Sequence, residues 1–199
     1  MFTGIITDIG KIVEIQALEK SSQIIISTIY DLDTIDIGAS IACNGCCLTV
    51  VKKKVEGDKN LLFFDVSPES IDKTIFQFAK TGDEINLERA MKLSDEIGGH
   101  LVSGHVDCLA EIVGINIIEG NWITQFKVPK QFTKYIVAKG SVVINGASLT
   151  VNNVENDIFD INIIPHTLEK TNLRNLKIGS KVNFEVDLIA RYLEKLATN

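Results

Sequence analysis

Two stretches of the chain decide its fold: Ser40-Ile-Ala-Cys-Asn-Gly-Cys-Cys-Leu-Thr-Val50 and Ser141-Val-Val-Ile-Asn-Gly-Ala-Ser-Leu-Thr-Val151. They lie 101 residues apart, and six of their eleven aligned positions are identical. A second block recurs 97 residues apart, and its members are Pro68, Lys73, Thr74, Gly82, Asn86 and Glu88, matched by Pro165, Lys170, Thr171, Gly179, Asn183 and Glu185. Matched features in the same order predict a tandem duplication of one domain. The change of spacing from 101 to 97 predicts that a hairpin has lost four residues in the second copy.

Each copy is predicted to form a series of short strands. Residues 11–18, 23–30, 61–66 and 182–186 are rich in Ile, Val and Phe, as is typical of strands. Asn44-Gly45 and Asn145-Gly146 are typical of two-residue hairpin turns, because both residue types tolerate positive φ. One short helix is expected in each copy, near residues 71–79 and 168–173. The pattern predicts an all-β fold of two small closed barrels, since closure removes exposed sheet edges.

The end of the chain breaks the repeat. Ile189, Tyr192, Leu193 and Leu196 fall on one face of a predicted helix, and Asp187 is a suitable N-cap. We therefore predict a first barrel over residues 1–96, a second over 97–186 and a C-terminal helix over 187–199. The apolar face of that helix predicts self-association, or packing on its own chain.

The composition and charge of the chain argue against several classes of function. The net charge of −6 and the absence of long basic runs argue against nucleic-acid binding. No apolar run approaches the roughly 20 residues needed to span a bilayer, and the chain opens without a secretory signal pattern. Adjacent Cys46 and Cys47 suit free thiols in a reducing compartment. These features predict a cytoplasmic protein with no membrane or nucleic-acid partner.

The repeated hairpin carries the first candidate chemistry. Cys47 and Ser148 occupy equivalent positions, and either both are small core residues or they give two similar pockets different reactivity. Cys43 and Cys46 have the Cys-x-x-Cys spacing, but a structural zinc site needs four ligands and no second pair exists. No metal site is therefore predicted.

The second candidate is the motif that runs from His100 to His105. A histidine beside a glycine loop can act as a general acid or base near neutral pH, although a solvated or core histidine is the default interpretation. No glycine-rich phosphate loop or dinucleotide fingerprint is present, which argues against phosphoryl transfer and nicotinamide chemistry.

Taken with these motifs, the chain resembles the riboflavin synthase family from its first residues to its final helix. The matching pieces are Met1-Phe-Thr-Gly-Ile, Asn44-Gly-Cys-Cys-Leu-Thr-Val50, Asp95-Glu-Ile-Gly-Gly-His-Leu-Val-Ser-Gly-His105, Gly146-Ala-Ser-Leu-Thr-Val151 and Ile164-Pro-His-Thr-Leu-Glu-Lys-Thr171. The resemblance implies two six-stranded Greek-key barrels and a C-terminal helix that holds a homotrimer. It also implies a site between the N-terminal barrel of one subunit and the C-terminal barrel of a neighbour.

The activity implied by the resemblance is a transferase reaction of riboflavin biosynthesis that needs no added cofactor. Two molecules of 6,7-dimethyl-8-ribityllumazine exchange a four-carbon unit and yield riboflavin and 5-amino-6-ribitylamino-uracil. Two identical substrates call for two similar pockets, and holding them together can supply much of the rate. A lumazine synthase is a possible partner. The alternatives are a non-catalytic lumazine- or flavin-binding antenna protein of the same fold and a purely structural protein.

The resemblance also implies the site residues. The reactive candidates are Phe2, Ser40, Cys47, His105, Ser148, Thr150 and Asp187. His105 is expected to carry a proton, Ser148 and Asp187 to activate a hydroxyl or water, and Cys47 and Ser40 to act in the opposite half. Expected substrate contacts in the first barrel are Gly4, Ile5, Ile6, Cys47, Leu48, Thr49, Asp65, Val66, Ser67, Pro68, Glu69 and Ser70. In the second barrel they are Gly104, His105, Val106, Lys139, Ser148, Leu149, Thr150, Asn162, Ile163, Ile164, Pro165, His166 and Thr167.

One of these positions departs from the family pattern. Residue 166 is histidine, whereas the family often has glutamate there and the first copy has Glu69. The departure falls at a position where the resemblance implies a contact with the ribityl chain.

Overall fold

The computed structural model describes residues 1–18 and 21–197, and within them the chain is mostly β. The first half contains β1 (Asp8–Ala17), β2 (Ser22–Thr28), β3 (Ser40–Cys43), β4 (Cys46–Glu56), β5 (Lys59–Val66), α1 (Pro68–Lys73) and β6 (Glu84–Arg89). The second contains β7 (Cys108–Ile118), β8 (Asn121–Lys127), β9 (Ser141–Ile144), β10 (Ala147–Glu155), β11 (Ile158–Ile163), α2 (Pro165–Lys170), β12 (Lys181–Val186) and α3 (Leu188–Ala197). Short 3-10 turns occur at Leu32–Thr34, Ile75–Phe78, Lys130–Tyr135 and Asn172–Asn175.

Each half closes into an antiparallel six-stranded barrel. The first barrel has the order β1-β2-β5-β4-β3-β6, with β6 pairing back to β1. The second follows the same path, β7-β8-β11-β10-β9-β12, with β12 pairing back to β7. Each barrel has its own apolar core, built around Phe64 in the first and around Phe126, Phe159 and Phe184 in the second. The prediction of an all-β fold with two duplicated barrels is confirmed.

The second copy is four residues shorter than the first, and all four are lost from one hairpin. Its strands are 11 and 8 residues long in the first barrel, β4 and β5, but 9 and 6 in the second, β10 and β11. Both hairpins keep a two-residue turn, since Glu56 pairs with Lys59 and Glu155 with Ile158. Removing two residues from each strand preserves the side-chain alternation, so the same face still points to the core.

The predicted Asn-Gly turns are confirmed, and they meet each other between the two barrels. Asn44 and Gly45 have φ values of 46° and 79°, and Asn145 and Gly146 have 45° and 85°. A Cβ atom on Gly45 would lie 2.7 Å from the backbone nitrogen of Gly146. Glycine is therefore required at this place both by the positive φ and by the close approach of the second turn.

Repeated asparagines join the barrels at these turns. The Asn86 Nδ2 donates to the Asn145 carbonyl at 2.9 Å, and the Asn183 Nδ2 donates to the Asn44 carbonyl at 2.8 Å. Within each barrel, the backbone nitrogen of Asn86 or Asn183 donates to the Oδ1 of Asn44 or Asn145. The reciprocal bonds explain why asparagine recurs at positions 86 and 183.

The short helices begin earlier than predicted. The expected segments 71–79 and 168–173 are occupied by the ends of α1 and α2 and by the 3-10 turns that follow them. α1 begins at Pro68 and α2 at Pro165, because proline suits the first helical turn, where its missing N–H is not needed. Thr74 ends α1, and its side chain caps the following turn.

α3 lies on the surface and is capped as predicted. Asp187 Oδ1 accepts a hydrogen bond from the backbone nitrogen of Ile189 at 2.9 Å. The helix is tied to the second barrel by ion pairs, Arg191 with Asp107 and Glu194 with Lys134. Its apolar residues Ile189, Tyr192, Leu193 and Leu196 remain 59–74% exposed. The apolar face is therefore left largely uncovered by the described part of this chain.

Two further predictions concern boundaries and membranes. The predicted barrel boundary after residue 96 falls in the segment between β6 and β7 and stays a prediction. Thr198 and Asn199, which end the predicted helical segment, lie outside the described residues. Over residues 1–18 and 21–197, no helix combines the length and apolarity needed to cross a membrane.

Candidate active site

A buried glutamate in each barrel holds a short loop at the start of that half of the chain. Glu88 accepts hydrogen bonds from Thr3 N at 2.7 Å, Thr3 Oγ1 at 2.9 Å and Gly4 N at 3.0 Å. Glu185 repeats this arrangement with Ser103 N at 2.7 Å, Ser103 Oγ at 2.6 Å and the next backbone nitrogen at 3.0 Å. Burial raises the pKa of both carboxyl groups, and the hydrogen bonds from the loops offset part of that rise.

The two loops then cross to the opposite barrel. The Gly4 carbonyl accepts a hydrogen bond from Ser148 N at 2.9 Å, and the Gly104 carbonyl accepts one from Cys47 N at 2.7 Å. A Cβ atom on Gly4 would lie 2.5 Å from Ser148 Cβ, and one on Gly104 would lie 2.7 Å from Cys47 Cβ. Only glycine permits this approach at both crossings.

The crossing determines which expected contacts share a pocket. Gly4, Ile5 and Ile6, assigned to the first barrel from the sequence, lie beside Ser148 of the second; residues 104–106, assigned to the second barrel, lie beside Cys47 of the first. The physical reason is that Phe2 and Val102 pair with each other in an isolated antiparallel bridge. The two segments therefore pass one another, and each continues over the other barrel.

Each crossing forms one wall of a small pocket. The first pocket, a cavity of about 250 Å³, is lined by Cys46, Cys47, Glu69, Ser70, Lys73, Thr74, Gly104, His105 and Val106. The second pocket, of about 150 Å³, is lined by Gly4, Ile5, Ile6, Ala147, Ser148, His166, Thr167, Lys170 and Thr171. The nine positions of one pocket correspond through the repeat to the nine positions of the other. The same backbone framework thus presents two different sets of side chains.

The first pocket combines a thiol with an imidazole. Cys47 is half-buried at the start of β4, and His105 is exposed on the crossing loop. The neighbouring Cys46 faces the core, and burial is the main reason that its pKa rises to about 12. Because Cys46 is buried and Cys47 is only half-buried, Cys47 is the more accessible of the two thiols. Glu69 and Lys73 form an exposed ion pair, 2.7 Å long, at the rim.

The second pocket combines a hydroxyl with an apolar side chain. Ser148 takes the place of Cys47, and Ile5 takes the place of His105. His166 replaces Glu69, and Lys170 pairs with Glu169 at 3.0 Å instead of with residue 166. The imidazole of His100 lies behind this pocket, with its Nδ1 2.7 Å from Ser148 Oγ.

The family model described as the lumazine binding domain matches the chain twice, over residues 3–90 and 103–187. The riboflavin synthase of Brucella abortus (strain 2308) is 46% identical over 200 residues, which cover 99% of this chain and 98% of that protein. The chain belongs to the riboflavin synthase family. The riboflavin synthase of Escherichia coli (strain K12) is 43% identical over 189 residues, with 94% of this chain and 87% of that protein covered. The chain is accordingly an enzyme, a transferase with riboflavin synthase activity.

Solved structures agree with the fold. Crystal structures of LumP, complexed with 6,7-dimethyl-8-(1'-D-ribityl) lumazine and with riboflavin, match with TM-scores of 0.80 and 0.82. Both are 28% identical to this chain and cover 94% of it and 99% of LumP. Both the family match and these structures therefore associate the two-barrel architecture with lumazine binding.

The reactive candidates predicted from the sequence are not all brought together in this single chain. Cys47 and His105 share the first pocket, and Ser148 lines the second. Phe2 is fully buried between the barrels, where its ring packs against the backbone beneath the first pocket. Asp187 lies in a third cavity of about 470 Å³ beneath α3.

The repeat places Ser40 and Thr150 at equivalent rungs of the two hairpins, outside the two pockets. Ser40 pairs with Thr49 across β3 and β4, and Thr150 pairs with Ser141 across β9 and β10. Thr49 and Thr150 are exposed. Their roles stay predictions.

The remaining expected contacts divide by burial. Asp65, Ser67, Pro68, Lys139, Asn162, Ile164 and Pro165 are exposed, whereas Leu48, Val66 and Ile163 are core residues and Leu149 is partly buried. Lys139 has a φ of 66° and lies in the turn before β9. The exposed polar positions are available to a polyhydroxyl chain.

Several pocket residues were not predicted from the sequence. Lys73 and Thr74 line the first pocket, and Lys170 and Thr171 line the second. Their recurrence in the repeat was visible, and it is the signal that could have identified them. His100, in contrast, belongs to the same motif as His105, which was predicted to be the reactive histidine. Its contact with Ser148 is visible only in the folded chain.

Metal ligation finds no support among residues 1–18 and 21–197. Cys43, Cys46, Cys47 and Cys108 are free thiols. Within those ranges, no group of three His, Cys, Asp or Glu side chains is placed to hold an ion.

Proposed function

We propose that the chain forms a homotrimer in which the first pocket of one subunit faces the second pocket of a neighbour. In that arrangement two molecules of 6,7-dimethyl-8-ribityllumazine exchange a four-carbon unit and yield riboflavin and 5-amino-6-ribitylamino-uracil, without an added cofactor. Activity of this class accords with the family to which the chain belongs.

The observation that carries the proposal is the pair of matched pockets with unmatched side chains. Two identical substrates need similar binding frameworks, because each presents the same ring and ribityl chain. The reaction needs an asymmetry as well, since one lumazine donates carbons and the other accepts them. The exchange of Cys47 and His105 for Ser148 and Ile5 supplies that asymmetry on a common backbone.

The size of the pockets supports a site shared between subunits. Small-molecule sites usually enclose about 300 to 1,000 Å³, whereas the two pockets measure about 250 and 150 Å³. A lumazine bound to either pocket alone would keep one face open. A second pocket placed opposite would close that face and exclude water, and it would hold the two rings within bonding distance.

The proposed roles follow the chemistry of the pockets. His105 carries the proton lost from the acidic C7 methyl group of one lumazine, as a solvent-accessible imidazole can near neutral pH. Ser148 and Asp187 activate a hydroxyl or water at C7 of the other lumazine. Cys47 and Ser40 act on the side of the site opposite Ser148 and Asp187. Phe2 and Thr150 are the remaining residues of the proposed site. Of the remaining predicted contacts, those that are exposed or partly buried hold the uracil-like edge and the ribityl chain.

The uncovered apolar face of α3 supports the trimer. Exposed Leu193 and Leu196, with two neighbouring apolar residues, form a contiguous stripe that a second subunit could bury. Cytoplasmic location is part of this proposal and rests on the cysteine content and the composition of the chain. Association with a lumazine synthase is also part of it and rests on the family resemblance alone.

The test is to add the purified protein to 6,7-dimethyl-8-ribityllumazine in plain buffer and to record absorbance in the riboflavin band. Riboflavin should appear with no other addition. The similarity to LumP favours one rival, a protein that binds the lumazine and leaves it unchanged. Binding without riboflavin formation would establish that rival and refute the proposed function.

A further inference from the structure

His100 is held tightly against Ser148 by the backbone around it. Its Nδ1 lies 2.7 Å from Ser148 Oγ, and its backbone nitrogen donates to the Thr3 carbonyl at 3.1 Å. The preceding residue, Gly99, leaves no space for a side chain, because a Cβ atom there would lie 2.2 Å from the Thr3 carbonyl oxygen and 2.8 Å from Ser148 Oγ. The crossing loop thus fixes the imidazole and the hydroxyl together.

Burial shifts the imidazole towards its neutral form, in which one ring nitrogen can accept a hydrogen bond from the serine. Burial lowers the pKa of His100 below its ordinary value, and the Asp187 carboxylate offsets part of that shift. In a neutral imidazole, one ring nitrogen carries the hydrogen and the other accepts a hydrogen bond. Within the described residues, the buried Nε2 has no hydrogen-bond partner.

We propose that His100 is a positioning residue for Ser148: its Nδ1 accepts the hydroxyl hydrogen and turns an oxygen lone pair towards the second pocket. The inference rests on the proposed function and adds a residue to its machinery. A free serine hydroxyl rotates among three staggered positions, whereas a hydrogen bond to a fixed imidazole selects one of them. No bond to substrate is made or broken by His100 itself.

Among the described residues, the first pocket has no corresponding histidine contact. In the part of the chain that the structure describes, Cys47 Sγ makes no side-chain hydrogen bond corresponding to the one between Ser148 and His100. The second pocket alone therefore holds its reactive group in one direction. This is a second asymmetry between the pockets, additional to the difference between thiol and hydroxyl.

The test compares two replacements of His100 in the assembled enzyme. His100→Phe keeps a ring and removes the acceptor, and it should lower kcat on the order of 10- to 100-fold, as misplacement of a reacting group does. His100→Asn keeps an acceptor close to the position of Nδ1, and it should restore kcat to within about 3-fold of the unmodified protein. Riboflavin binding, followed by its fluorescence, should change by less than about 3-fold in both.

A double substitution separates positioning from a merely structural role. If His100 acts through Ser148, then His100→Phe should lower kcat by less than about 2-fold once Ser148→Ala is present. Independent losses in the double variant, or full activity of His100→Phe, would overturn the inference. If the unmodified protein forms no riboflavin, the proposed function fails instead, so the two failures are distinguishable.

Discussion

At the scale of single residues, the molecule uses one backbone framework twice with different side chains. Ser148 stands for Cys47, and Ile5 stands for His105. The glycines of the crossing loops and the glutamates that hold them are the same in both halves. The two pockets therefore share one backbone shape and differ in the reactivity of the side chains that line them.

The first prediction tests the proposed roles of Ser148 and Asp187. Ser148→Ala and Asp187→Asn should each lower kcat by about 100-fold or more, while lumazine binding changes much less. Stopped-flow absorbance and a fluorescence titration would measure the two quantities. Equal losses of turnover and binding would contradict the catalytic assignment.

Asp187 needs its own control because it also caps α3. Asparagine is as good an N-cap as aspartate, so Asp187→Asn removes the charge and keeps the cap, whereas Asp187→Ala removes both. Comparable loss of turnover in the two variants would identify the charge as the cause. A loss confined to the alanine variant would identify the cap.

The second prediction concerns the close contact at the crossing loops. Gly104→Ala should lower the free energy of unfolding by about 2 to 5 kcal/mol, the sum of left-handed strain and steric overlap. Gly57→Ala is the matched control, because Gly57 also has a positive φ of 63° but nothing lies within 4 Å of a Cβ atom there. It should cost only about 1 to 2 kcal/mol.

Urea unfolding at fixed protein concentration would measure both glycine variants. The concentration must be held constant because assembly contributes to apparent stability. Equal losses in Gly104→Ala and Gly57→Ala would mean that the loop can move away from Cys47, and the crossing would then be less rigid than the contact implies.

At the scale of elements, the hairpins determine where the reactive side chains lie, and the short helices line the edges of the two pockets. The two Asn-Gly turns abut between the barrels, so the strands that follow them, β4 and β10, begin side by side near the junction. Cys47 and Ser148 are the second residues of those strands. Their reactive groups are therefore placed by turn chemistry, and the helices α1 and α2 add only the outer rim of each pocket.

The third prediction concerns α3 as an assembly element. Leu193, which is 60% exposed, lies on its apolar face. Leu193→Glu should convert the proposed trimer to monomers, because it would bury an unpaired charge in the interface. Sedimentation velocity would report the change, and turnover should fall with it, since the proposed site needs two subunits.

Lys195→Glu is the control for charge alone. It lies on the same helix outside the apolar stripe and changes the net charge by more than Leu193→Glu does. It should leave the oligomeric state unchanged. A trimer that persists in Leu193→Glu would exclude this face of α3 from the interface.

At the scale of the whole molecule, the two barrels are joined by reciprocal contacts around a common junction. Asn86 and Asn183 bridge the hairpin turns, and Phe2 and Val102 pair beside them. The junction makes each barrel supply one wall of the other's pocket. The pair of barrels, and not the single barrel, is therefore the unit that builds a pocket.

Much of this could be read from the sequence, and the reason is local. The repeat, the strand pattern, the Asn-Gly turns and the Asp187 cap depend on neighbouring residues, so all four were predicted correctly. The start of the short helices was missed, because the role of Pro68 and Pro165 at the first helical turn was overlooked.

The amino-acid sequence is enough to predict two like barrels, the places where their hairpins turn and the positions that differ between the copies. Which loop lines which pocket, and the contact of His100 with Ser148, are visible only in the folded chain. The cause is distance along the chain. Periodicity and turn chemistry act over a few residues, whereas the crossing depends on a bridge between Phe2 and Val102 and on contacts that span 48 residues or more.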